Sequence, residues 1–102
     1  MAQSLSAAQK RHLRALAHHL KPVILMGAKG VTESLTAELA LALERHELVK
    51  VKLAADDREE RDAVIEALTS ATGAALVQRI GNIAVLFLRN TKQPLIVLPR
   101  AP

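Results

Sequence analysis

The four residues Gly27-Ala28-Lys29-Gly30 bring backbone freedom and a cation together at one point of this sequence. Two glycines let a chain turn sharply and approach a ligand closely, and the amides that open a following helix offer donors to an anion. Lys29 adds a positive charge at the same place. The chemistry this assembles is phosphate binding, as in the GxxG loop with which KH modules clamp nucleic-acid backbone, although there the loop joins two helices. A plain strand-to-helix turn accounts for the same four residues equally simply. A second candidate lies just upstream. At roughly 100° per residue, Lys10, Arg11, Arg14, His18 and Lys21 fall within an arc of about 100° on one helix, and no acid occurs between residues 1 and 32. Such a face can follow a phosphate track. The plainer reading is a solvated helix surface.

Other constellations point to less. His12 and His19 share a flank of the same helix, His18 lies on the basic face and His46 ends a second helix. Zinc needs three or four convergent ligands, the chain has no cysteine, and no paired carboxylate lies nearby on the first helix, so no metal is expected. The acidic run 56–62 coincides with a helix start, where the helix dipole favours negative charge, which weighs against hydrolytic carboxylates. Ser4, Ser6, Ser34 and Ser70 sit at helix starts or within helices without a nucleophile elbow. Neither a P-loop nor a dinucleotide fingerprint is present. The expectation is a protein that is not an enzyme and has no catalytic residue, cofactor or small-molecule substrate. Base stacking on a sheet needs aromatic side chains, and Phe87 is the only one in the sequence. Any grip on nucleic acid must therefore rest on charge, amides and shape.

The elements that would position these groups follow from periodicity. Ser6 with Gln9 forms a capping box opening a first helix, whose stripe is Leu13, Leu16, Ala17 and Leu20 and whose stop is set at Lys21 by Pro22. Residues 23–26 form an apolar run that reads as a buried strand. Thr32 caps a second helix with Leu35, Leu39, Ala42 and Leu43 inward. Residues 48–53 alternate apolar and basic, which predicts a strand with one covered face and one face of lysines. Asp56 or Asp57 caps a third helix with Val64, Ala67, Leu68 and Ala71 inward, and Gly73 ends it. Residues 75–80 and 83–88 flank Gly81-Asn82, the spacing of a tight hairpin, and residues 95–98, between two prolines, form at most a short edge strand. The order α-β-α-β-α-β-β, with helical crossovers and a hairpin, implies an α/β fold: a mixed four-stranded sheet with helices packed on it.

Composition agrees with this picture. The 102 residues are 50% hydrophobic and 24% charged, with a formal net charge of +4. With no linker or repeat, they predict a single domain, 1–102, able to bury a core without disulfides. Its basic ends flank residues 53–66, where six acids face two arginines, so the cationic regions are free to converge on a polyanion. No signal peptide pattern is visible and no apolar run approaches the length of a membrane span, so a cytoplasmic protein without membrane contact is expected.

The segment Leu20-Lys21-Pro22-Val23-Ile24-Leu25-Met26-Gly27-Ala28-Lys29-Gly30-Val31-Thr32-Glu33, the motif His46-Glu47-Leu48-Val49-Lys50-Val51-Lys52, and Leu76-Val77-Gln78-Arg79-Ile80-Gly81 with Phe87-Leu88-Arg89 occur in this order over nearly the whole chain. Together they resemble the CRM domain family (chloroplast RNA splicing and ribosome maturation), in particular its stand-alone bacterial YhbY-type members. The resemblance implies a fold similar to the C-terminal domain of translation initiation factor three, RNA as the partner, and association with ribosomal RNA of the pre-50S particle. It carries binding roles onto Gly27, Lys29 and Gly30 and onto the basic residues of the first helix with Lys21. Ala28 stands where the family commonly has a basic residue, and Leu88 where it often has tyrosine. The leading expectation is a ribosomal-RNA-binding protein of large-subunit assembly using the loop 27–30 and the helix face. Its rivals are a basic adaptor docking on an acidic protein and, more remotely, a phosphoester enzyme using the acidic run. The sequence leaves open whether Lys50, Lys52, Arg79 and Arg89 belong to the binding surface.

Overall fold

Local capping chemistry fixes where each helix starts. Ser6 accepts from the Gln9 amide at 3.1 Å and Gln9 returns the bond to the Ser6 amide at 3.0 Å, opening α1 (Ala7–Ala17). Thr32 accepts from the Leu35 amide and opens α2 (Glu33–His46), and Asp57 accepts from the Glu60 amide and opens α3 (Arg58–Thr72). Each such cap satisfies a donor the helix cannot pair itself. Gly73, at φ 80°, closes α3 in the left-handed conformation that glycine adopts without penalty. The strands are β1 (Ile24–Leu25), β2 (Leu48–Lys52), β3 (Ala75–Ile80) and β4 (Ile83–Phe87), completing the expected element order. The computed structural model describes residues 5–27, 29–55 and 57–99, so Ala28 and the alternative cap Asp56 lie outside the described residues.

The four strands form one sheet in the order β1-β2-β4-β3, with β1 parallel to β2 and both other pairings antiparallel. Gly81, at φ 55°, supplies the left-handed first turn residue of the β3–β4 hairpin. The sheet divides the core in two. On one face α2 and α3 bury Leu35, Leu39, Leu43, Ile65 and Leu68 against Ile24, Val49, Val51, Ala84 and Leu86. On the other, α1 buries Leu13 and Ala17 against Leu48, Val77, Val85 and Phe87. Helices therefore cover both faces, which corrects the expectation that one side of β2 is simply a lysine face. Leu48 is buried under α1, Lys50 is half-buried, and Lys52 is exposed.

Three further expectations shift, each for a physical reason. Helix α1 ends at Ala17, short of Lys21, because the amides of His19 and Leu20 bond three residues back, to Leu16 and Ala17, instead of four. That tightened turn takes Leu20 off the stripe; Leu16, still within α1, and Leu20 are both 39% exposed, while Leu13 and Ala17 are buried. In α3 the inward residues are Ile65 and Leu68 with Val64, while Ala67 and Ala71 face solvent. Burying an isoleucine removes more apolar area from water than burying an alanine, so the helix rolls toward Ile65. Residues 95–98 form no strand. Ile96 and Leu98 pack against the α1-side core, and the amides of Leu95 and Ile96 both donate to Glu47 Oε1 at 2.7 Å.

Glu47 was not singled out by the sequence reading, yet it joins three parts of the chain. It caps α2 with a left-handed backbone, φ 61°, unusual for a residue with a side chain. Its side chain is fully buried. Besides Leu95 and Ile96, its carboxylate accepts from the Asn90 amide at 2.7 Å and from Arg89 Nη1 at 3.3 Å. Its own carbonyl accepts from the Leu88 amide at 2.9 Å. A buried charge is tolerated when it is paired and hydrogen-bonded in this way.

Candidate nucleic-acid interface

The loop at the end of β1 is a tight turn, with the Gly30 amide donating to the Gly27 carbonyl at 3.0 Å. Gly30 sits at φ 77°, and neither Gly27 nor Gly30 has any atom within 4 Å of where a Cβ would stand. The turn thus requires glycine at position 30 for its backbone angle and leaves the space beside it open. Gly27 and Lys29 are exposed. With Gly30, Thr32, Ser34 and Leu25 they line a hollow of about 450 Å³ that also contains Glu38. The hollow therefore holds one cation and one acid, and its appeal to an anion rests on the first-turn amides of α2 as much as on Lys29.

The basic residues of the first helix and Lys21 do not all line one site. Lys10, Arg11, Arg14, His18 and Lys21 are all exposed. Arg11, Arg14 and His18 line a groove of about 390 Å³ whose opposite wall is Lys50, Gln78 and Ile80 of the sheet. No acid lines this groove. Lys21, placed beyond the end of α1, lines a second hollow with Leu16, Leu20, Val23, His46 and Ile96, and Lys50 lines both. Lys10 lines neither. The sequence left Lys50 open and gave no sign of Gln78 as lining the same groove as Arg11 and Arg14. The available signal was the alternation of lysine with valine in β2, which puts Lys50 on the side where α1 packs.

The four basic residues left open by the sequence sort by face. Lys50 pairs with Val85 and Lys52 with Ile83, on the α1 side. The Lys50 ammonium donates to the Leu20 carbonyl at 3.0 Å, tying β2 to the chain after α1. Arg79 pairs with Ala84 on the α3 side and meets Asp62 at 3.5 Å. Arg89 is spent on Glu47, on the Ile96 carbonyl at 2.7 Å and on the ring of Phe87, 5.5 Å away. In the acidic run Asp57 caps α3 and Asp62 meets Arg58 and Arg79. The rings of His18 and His19 stack edge to face at 5.4 Å. Among the described residues no three His, Cys, Asp or Glu side chains group as metal ligands, and no helix is long and apolar enough to cross a membrane.

These features define a small α/β protein in which a glycine turn and an acid-free cationic groove lie on a mixed sheet. The chain belongs to the CRS1/YhbY (CRM) domain family, whose model matches residues 5–87. It is 48% identical over 97 residues to a protein of Haemophilus influenzae named RNA-binding protein, a match covering 95% of this chain and 97% of that one. A probable RNA-binding protein of Pseudomonas aeruginosa is 42% identical over 89 residues, covering 87% of this chain and 86% of that one. The probable RNA-binding protein YqeI of Bacillus subtilis is 40% identical over 95 residues, covering 93% and 99%. Among solved structures, a hypothetical protein of Staphylococcus aureus superposes with a TM-score of 0.81 at 33% identity, covering 94% of this chain and 100% of that one.

Proposed function

We propose that this protein is a non-enzymatic, cytoplasmic RNA-binding module that holds ribosomal RNA of the pre-50S particle during assembly of the large subunit. The observation that carries this reading is the groove where Arg11, Arg14, His18 and Lys50 converge without an acid, in a chain whose relatives are named for RNA binding. Phosphates would lie along that groove, and the turn 27–30 with Lys29 would hold a further phosphate at the start of α2. Crosslinking in cells followed by sequencing of the bound RNA tests it directly: enrichment of large-subunit ribosomal RNA is expected, and enrichment of no RNA would end the proposal. The rival adaptor reading is separated by competition, since a polyacidic protein should displace an adaptor's partner but not structured RNA.

Salt titration measures the electrostatic part. With about four to six phosphate contacts, log affinity against log salt should slope at roughly −3 to −5; a flat plot would exclude a groove that works by charge. The turn is tested by a matched pair at Gly30. Asparagine and aspartate both tolerate a left-handed backbone better than other side chains and differ mainly in charge. Gly30→Asp is expected to weaken RNA binding about tenfold relative to Gly30→Asn, and by more than Lys29→Ala does, because an anion there also faces the α2 amides. Equal binding by both Gly30 variants in filter assays would leave the turn a purely structural element.

A further inference from the structure

The α1 side of the sheet carries three cross-strand rows. Leu48, Phe87 and Ala75 form one, and Lys50, Val85 and Gln78 the next. Helix α1 covers both, and Phe87 and Val85 are wholly buried. The last row, beside the hairpin turn, is Leu25, Lys52, Ile83 and Ile80, one residue from each strand. Helix α1 leaves it open: Leu25 is 65% exposed, Ile80 is 57% exposed, and Lys52 is exposed between them. Each end of this row adjoins one of the two candidate phosphate sites. Leu25 lines the hollow of Gly27, Lys29 and Gly30, and Ile80 lines the groove of Arg11, Arg14 and His18.

We propose that this open row seats unpaired nucleotides of the bound RNA, with Lys52 on a phosphate and Leu25 and Ile80 against the faces of unstacked bases. The inference rests on the RNA-binding reading and specifies its ligand as single-stranded. Phosphate and ribose gain nothing from exposed leucine and isoleucine, and a duplex hides its base faces inside the stack. Unpaired bases present those faces, and binding to them through aliphatic side chains discriminates little among sequences. Arg79 is the internal control, because it neighbours Ile80 in sequence but lies on the opposite face with Asp62.

The test compares anisotropy of a labelled oligouridine strand and of a blunt RNA duplex. Leu25→Ser with Ile80→Ser should weaken oligouridine binding about tenfold with an unchanged salt slope. Lys52→Ala should weaken it and make the slope shallower by about one, and Lys52→Arg should restore both. Duplex binding should change less than about twofold in every variant, Arg79→Ala should move neither probe, and circular dichroism checks that each variant is folded. Undiminished oligouridine binding by the folded Leu25/Ile80 variant, or equal losses on strand and duplex, overturns the inference. Failure of the parent protein to bind either probe or ribosomal RNA instead overturns the RNA reading on which it stands.

Discussion

Replacing Glu47 with alanine is expected to destabilise the fold by about 3–5 kcal/mol, the range for removing one partner of a buried, hydrogen-bonded ion pair. The loss strands the amides of Asn90, Leu95 and Ile96, which point at the carboxylate, and takes from Arg89 its ion-pair partner while leaving its bond to the Ile96 carbonyl. Glutamine is a sharper probe of the same site. The carboxylate accepts two bonds on each oxygen, whereas the glutamine amide would set its own NH₂ against two donors. Glu47→Gln should therefore cost about 2–4 kcal/mol despite its similar shape. Glu47→Gly relieves the left-handed backbone, worth about 1–2 kcal/mol, and should still be less stable than the parent. Urea melts measure all three, and a Glu47→Gly protein as stable as the parent would mean the carboxylate does not hold the segment 90–96.

Acid should act through the same residue. Burial pushes the Glu47 carboxyl up, but the amides of Asn90, Ile96 and Leu95 and the Arg89 charge outweigh it, and its pKa ends below the ordinary value. A carboxylate with a depressed folded pKa contributes stability that is present above its unfolded pKa and lost as pH falls through the folded one. The parent should therefore lose stability as pH drops below about 4, and the Gln variant should lack that component.

Reversing charge with Arg11→Glu and Arg14→Glu together is expected to reduce RNA affinity on the order of 10- to 100-fold, through the loss of two phosphate contacts and added repulsion in the groove. Both side chains are exposed and line the wall opposite Lys50 and Gln78. Stability should fall by under about 1 kcal/mol. Most of that should come from Arg14, which lies in the last turn of α1, where a positive charge suits the helix dipole. Filter binding and a urea midpoint read the two effects separately. Parental affinity in the folded double variant would remove the groove from the RNA surface, and an unfolded variant would show that this helix face is not solvated.

The sequence announces what is local and hides what is distant. The caps Ser6, Thr32 and Gly73 were legible, and the third N-cap was narrowed to Asp56 or Asp57, because each acts within a few residues of itself; helical crossovers implied a parallel pair somewhere, and the structure places it at β1 and β2. Glu47 was not legible, since its partners lie more than forty residues ahead and nothing in the string His46-Glu47-Leu48 marks burial. Leu16 and Leu20 continue a regular stripe on paper; the tightened turn after Ala17 displaces Leu20, while Leu16, inside α1, lines the hollow beside Lys21 instead of the core. For the candidate site, the basic residues of α1 could be enumerated from spacing. That Arg11, Arg14 and His18 share a groove with Gln78 and Ile80 while Lys21 lines a second hollow depends on how α1 crosses the sheet, which no periodicity encodes.

The strand order carries a consequence for synthesis. Strand β4 lies between β2 and β3, so the long edge of β2 finds its antiparallel neighbour only after α3 and β3 have been made. At about 5–20 residues per second, a ribosome takes roughly 2–7 s to pass from Lys52 to Phe87. During that interval Val49 and Val51 have no second strand beside them, and the Glu47 carboxylate waits for residues 90–96. The nascent chain thus carries an unpaired strand edge until the β3–β4 hairpin clears the exit tunnel, and the sheet cannot close while β2 alone has emerged.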